Sequence, residues 1–201
     1  MMQQQKQTYT IKTFDVGPMQ NLIYVITDND TKESAIVDPA WDMTKIYEYL
    51  NNNNLILKKI LLTHSHNDHV NAVDEVLSNF DTQIHINKKE KVFWAKDYDN
   101  FSINYGGDII YLGKTQIKSL HTPGHTPGST CFYLDGHLFS GDTLFPGGPG
   151  KTQSAENLTQ IISSITKKIF ILPSSTIFYP GHGDDGELSV SISEYEMYKS
   201  K

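Results

Sequence analysis

Thr63-His64-Ser65-His66-Asn67-Asp68-His69 brings three histidines and one aspartate into a single short stretch. Imidazole nitrogen and carboxylate oxygen are both metal donors, and zinc accepts either. Lys58 to Leu62, just before it, is expected as a strand. The apolar residues from Val70 to Phe80 recur at helical spacing and predict a helix over 70–78. The cluster therefore falls where a strand gives way to a helix, a common position for sites in α/β proteins.

Outward from the cluster, the chain alternates short strands and helices. Alternating β-formers predict a strand over 9–14, and further strands are read over 22–27 and 34–37, with turns at Val16-Gly17-Pro18 and Asp28-Asn29-Asp30. A helix is expected over 44–50, ended by the asparagine run Asn51–Asn54. After the cluster come a strand over 83–86, a helical piece around 88–95, and an aperiodic stretch over 97–104 expected as a surface loop. Strands follow at 109–112 and 116–120, then a hairpin of 130–134 and 137–140 about Asp135-Gly136. Leu158, Ile161, Ile162 and Ile165 form the apolar stripe of a helix over 158–165. Strand fragments at 169–172 and 176–179 and a last helix from Leu188 complete the chain. This order suits an α+β fold of mixed sheets with helices outside. One domain over 1–201 is expected, with residues 1–7 a frayed tail.

A formal net charge of −6 opposes broad binding to nucleic acid or to an anionic membrane, and a small-molecule substrate is expected as partner. The N-terminus has no signal-peptide pattern, and no apolar run approaches membrane-spanning length. The lone cysteine, Cys131, excludes an internal disulfide, and a cytoplasmic location is expected.

Four more metal-donor residues sit in Gly- or Pro-rich loops: Asp38, His125, Asp142 and His182. Asp38, ahead of Pro39, is most simply a turn residue. His64 and His66, two apart in an extended turn, can face one ion, and His125 is the best candidate for its third ligand. Asp68 and His69 lie further along the turn and reach a second point, which His182 would complete. Asp142 has two oxygens and can bridge the ions. Two such three-ligand sites make a dinuclear centre for two divalent ions, with Zn2+ expected and Fe or Mn able to use the same donors. His85, His121 and His137 read as ordinary surface or capping histidines. Gly147-Gly148-Pro149-Gly150-Lys151 lacks P-loop spacing, and Lys151 taken alone is a solvated lysine.

In order and spacing, His64-Ser65-His66-Asn67-Asp68-His69, Pro123-Gly124-His125-Thr126-Pro127-Gly128, Gly141-Asp142 and Gly181-His182 resemble the metallo-β-lactamase-fold hydrolase superfamily. The resemblance implies a four-layer αββα sandwich of two mixed sheets with the metals at one edge. It implies His64, His66 and His125 on one metal, Asp68, His69 and His182 on the other, and Asp142 between them. Gly141-Asp142-Thr143-Leu144-Phe145 and the glycine run ending in Lys151 look most like the glyoxalase II (hydroxyacylglutathione hydrolase) group, where a lysine at the place of Lys151 helps bind glutathione. Pro149 stands where that group has cysteine. Fewer than twenty residues follow Gly183, where glyoxalase II continues into a C-terminal helical domain, so the form without that domain is expected.

The activity implied is hydrolysis of a thioester or related ester by metal-bound hydroxide, with Asp68 orienting the hydroxide and taking its proton. One alternative is a mononuclear-iron persulfide dioxygenase, which would call for Arg-Thr-Asp where this chain has Lys151-Thr152-Gln153. Another is a lactonase or phosphodiesterase of the same fold.

Overall fold

The computed structural model describes residues 8–90 and 101–200. The first sheet runs β1 (Tyr9–Val16), β2 (Asn21–Asp28), β3 (Glu33–Val37), β4 (Ile56–Leu61), β5 (Gln83–Asn87) and β6 (Phe101–Asn104), in that spatial order. Its first three strands pair antiparallel, and β3 to β6 pair parallel. The remaining strands are β7 (Ile109–Leu112), β8 (Thr115–His121), β9 (Thr130–Leu134), β10 (His137–Gly141), the small hairpin β11 (Leu144–Phe145) and β12 (Gly148–Pro149), β13 (Ile177–Pro180) and β14 (Gly186–Glu187). The second large sheet has the order β14-β13-β10-β9-β8-β7. The helices are α1 (Thr44–Asn52), α2 (Asn67–Val70), α3 (Val73–Asn79), α4 (Ala155–Ser164), which continues as a π-helical turn over Ile165–Ile169, and α5 (Leu188–Lys199).

Three apolar clusters reveal the layers. Ile23, Val25 and Ile36 pack with Met43, Ile46, Val73 and Val76 between the first sheet and α1 and α3. The alternate residues of the same strands, Tyr24, Ile26, Ala35 and Val37, meet Ile117, Phe132 and Phe139 between the sheets. Cys131, Leu138 and Phe178 pack with Ile161, Ile165, Ile169 and Leu188 beneath α4 and α5. Three cores separate four layers, the expected αββα sandwich. Central strands are covered on both faces, which is why β2 reads as the unbroken run Leu22 to Ile26 rather than as an alternation.

Four expectations need correction. The helix over 70–78 is two helices, and α2 already contains Asp68 and His69. At the break the Ala72 amide donates to Pro39 O (3.3 Å), and Asn71 Oδ1 accepts from the Trp41 amide (2.6 Å), so the loop after β3 takes over hydrogen bonding there. The loop over 97–104 contains β6, which extends the first sheet. Lys88–Glu90 form a turn, not the start of a helix, while 91–95 and 97–100 fall outside the described residues. No strand forms over 169–172: Ile169 closes the π-turn and prolongs the buried Ile161–Ile165 stripe, whereas Ile171 is 75% exposed.

Asp28, at the end of β2, is 1% exposed. Its Oδ1 accepts from the amides of Asp30 and Thr31 and from the Thr31 hydroxyl. Its Oδ2 accepts from the amides of Lys114 and Thr115 and from the Thr115 hydroxyl. One carboxylate thereby ties the β2–β3 turn to the β7–β8 turn of the other sheet. Burial alone would raise its pKa, but the hydrogen bonds outweigh burial and lower it from 3.8 to about 2. Its stabilisation is complete above the unfolded value and is lost as pH falls through the folded one. A shift of this size is worth about 2 kcal/mol. Asp28→Asn cannot accept at both positions. It is expected to lower unfolding free energy at neutral pH by about 2 kcal/mol and to flatten the loss of stability between about pH 4 and 2, as read by urea unfolding across pH.

Candidate metal centre

Five strands end at one edge of the sandwich, and a donor-bearing loop follows each. Asp38 follows β3, Thr63–His69 follows β4, His125 lies in the loop after β8, Asp142 follows β10 and His182 follows β13. The loops converge. His66 Nδ1 lies 3.1 Å from His64 Nε2 and 2.9 Å from His125 Nε2. In a second group, His182 Nε2 lies 3.2 Å from His69 Nε2 and 3.3 Å from Asp68 Oδ2. Asp142 faces both: Oδ2 is 3.5 Å from His125 Nε2, and Oδ1 is 3.5 Å from His69 Nε2 and 3.8 Å from His182 Nε2. Gly181 permits this closeness, since a Cβ there would sit 2.4 Å from His69 Cε1 and 2.5 Å from Asp142 Oδ1.

The donors fit divalent ions. Ligand atoms about 2.0–2.1 Å from a tetrahedral ion stand roughly 3.3 Å from one another, close to the spacings here. Asp142 Oδ1 is buried without a hydrogen-bond partner among the described residues, a costly state that a cation would relieve.

The outer ring nitrogens fix the tautomers. Nδ1–H of His69 donates to Asp38 Oδ2 (3.1 Å), that of His182 to Met19 O (3.0 Å), and that of His125 to Lys151 O (2.7 Å). His64 Nδ1 faces Thr63 Oγ1 (3.0 Å), whose hydroxyl donates to Asp38 Oδ2 (2.5 Å). Nε2 of all four rings thus points inward, the usual arrangement for ligating histidine. Asp38 does adopt a turn backbone, with φ 51°, but it is more than a turn residue because its carboxylate orients His69.

Burial, then the neighbouring imidazoles, push the His64 pKa well below its ordinary value. Burial and His125 lower His66. For His69, burial opposes the charged ring, yet the hydrogen bond and charge of Asp38, with Asp142 and Asp68, raise the pKa to about 9.

The other predicted positions stand apart from these two donor groups. His85 is buried rather than on the surface, with Lys59 Nζ 3.4 Å from its ring. His137 stacks on Tyr179, and His121 Nε2 faces Pro127 O. The Lys151 side chain is exposed. Two supporting residues escaped the sequence reading. Asn21 Nδ2 donates to Asp68 O and Oδ2, while its own oxygen accepts from Trp41 Nε1. Glu90 bonds to the loops of His66 and His125. Neither lies in a motif, and no local signal marks them.

Residues 16–182 match the metallo-beta-lactamase superfamily. The chain belongs to this superfamily. Its relatives include "Probable polyketide biosynthesis zinc-dependent hydrolase BaeB" of Bacillus velezensis, 35% identical over 180 residues, with 88% of this chain and 78% of the relative covered. "Hydroxyacylglutathione hydrolase GloC" of Haemophilus influenzae is 33% identical over 192 residues, with 86% and 90% covered. The solved structure of BLEG-1 B3 metallo-beta-lactamase superposes with a TM-score of 0.80 at 30% identity, covering 92% of this chain and 97% of that one. The chain is a metallohydrolase of this superfamily. No helix among the described residues is long and apolar enough to cross a membrane.

With His69 raised to about 9, ion binding near neutral pH must expel its proton. Calorimetric titration of metal-free protein with Zn2+ is expected to show buffer-dependent heats from release of about one proton from this ring. That release should disappear as pH rises through about 9, and affinity should fall as pH drops below it. Heats independent of the buffer would refute this assignment.

Proposed function

We propose that the seven converging residues hold two divalent ions, zinc by expectation, and that the protein hydrolyses a thioester or related ester. The carrying observation is Asp142: its two oxygens face the two donor groups, and Oδ1 is buried with no other partner among the described residues. His64, His66 and His125 would hold one ion, and Asp68, His69 and His182 the other. When bound, such a pair supplies an activated water at neutral pH and a Lewis acid for a carbonyl oxygen.

The chain's own residues have distinct tasks. Asp68, anchored through Oδ2 by Asn21 (3.2 Å), orients the attacking water and takes its proton. A thiolate leaves readily, so a strong general acid is not required. Lys151 follows the β11–β12 hairpin, and its exposed ammonium suits a carboxylate on the substrate. The same hairpin walls an apolar cavity of about 330 Å³ with Leu158, Ile162 and Tyr195, and none of the seven donor residues lines it. The relative named as a hydroxyacylglutathione hydrolase supports the substrate class. This chain spans 90% of that relative, so little of it lies outside the match. Cys131, buried and unpaired, suits a reducing compartment, and we place the protein in the cytoplasm.

The test is a panel of thioesters, lactones and phosphodiesters on purified protein of measured metal content. Two zincs per chain with preferential thioester turnover is the expected result. Asp142→Ala should lose at least one ion per chain and reduce kcat/KM by at least about a hundredfold. One iron per chain with oxygen consumption, or full activity in Asp142→Ala, would refute the proposal.

A further inference from the structure

Glu90 lies in the turn after β5 and is 9% exposed. Its two oxygens accept four hydrogen bonds. Oε2 takes the Ser65 amide (3.0 Å) and hydroxyl (2.5 Å), and Oε1 takes the Thr126 hydroxyl (2.5 Å) and the Gly128 amide (2.8 Å). Ser65 stands between His64 and His66, and Thr126 follows His125. One side chain therefore bolts together the two loops carrying all three nitrogens of the first donor group. The approach is close: a Cβ at Gly128 would sit 2.6 Å from Glu90 Oε1 and 2.7 Å from Glu90 N.

The second group has other anchors. Asn21 holds Asp68, Asp38 holds His69, and Met19 O holds His182. None of these contacts passes through Glu90. His66 Nδ1 and His125 Nε2 stand 2.9 Å apart across these two loops, a spacing set by the loops that Glu90 ties together.

We propose that Glu90 is a positioning residue for the His64/His66/His125 ion, setting that ion's affinity while leaving the Asp68/His69/His182 ion nearly unchanged. This inference rests on the two-ion reading above. Glu90→Gln preserves volume, but whichever end its amide nitrogen occupies then faces a backbone N–H, of Ser65 or of Gly128, that it cannot accept from.

The decisive measurement isolates each ion. His182→Ala cripples the second group, and His125→Ala cripples the first. Zn2+ affinity is read by competition with a chromophoric chelator, with E90Q added to each background. In His182→Ala, E90Q is expected to weaken binding by about 10- to 100-fold, the range found for residues that orient ligands. In His125→Ala the change should stay within about twofold. Ser65→Ala, which removes one donor from Glu90, should give a smaller loss with the same selectivity and serves if E90Q does not fold. Equal losses in both backgrounds, or no loss in His182→Ala, overturn the role of Glu90. Wild-type protein that takes only one ion overturns the two-ion reading itself, a separate and distinguishable failure.

Discussion

The carboxylate of Asp38 is the contact on which the metal centre depends. It accepts from the Thr63 amide (2.7 Å), the Thr63 hydroxyl (2.5 Å) and His69 Nδ1 (3.1 Å), and the Thr63 oxygen in turn faces His64 Nδ1. One histidine of each donor group is thereby fixed through a single buried acid. Asp38, Thr63, His64 and His69 are each no more than 3% exposed. A carboxylate taken out of water is costly unless its oxygens are satisfied, and here the groups that satisfy it are the ones it must orient. The arrangement follows from strand register. Parallel pairing sets Val37 beside Leu61, and the Asp38 amide donates to Leu61 O (3.1 Å), so residues 38 and 63 leave the sheet side by side.

Sequence patterns located most of the elements because local chemistry decided them. The Asp135-Gly136 turn and its flanking β-formers placed β9, and the strand over 109–112 was legible in full. Failures came where a distant partner overrode the local pattern. The 70–78 helix breaks because its backbone and side-chain groups bond to the loop after β3. Ile169-Phe170-Ile171-Leu172 has strand composition, yet the core beneath α4 claims Ile169 for a helical stripe. Phe101–Asn104 has no clear period of its own, and its strand state comes from pairing with β5.

The candidate site divides along the same line. The seven residues that converge were visible in the sequence because metal-donor side chains are concentrated in a few Gly- and Pro-rich loops. The residues holding them were not. Asn21 begins a strand, Trp41 and Glu90 lie in ordinary turns, and each reaches the site across a sequence gap that no periodicity spans. Asp38 was visible as a donor, but its role as the partner of His69 depends on register between β3 and β4, which a single chain's pattern does not specify.

Strand β2 joins the two polar ends of the molecule. At one end Asn21 holds Asp68, and at the other Asp28 crosslinks the two sheets, with fully buried apolar residues between them. The edge where the donors converge gathers five imidazoles with the carboxylates of Asp68 and Asp142. The three apolar cores and the Asp28 crosslink at the far end hold the strands whose ends form this edge. Ions held at this edge would add stability through their preference for the folded chain. A site assembled from five separate strand ends can be sparing of local structure because sheet register and layer packing already fix where those ends meet.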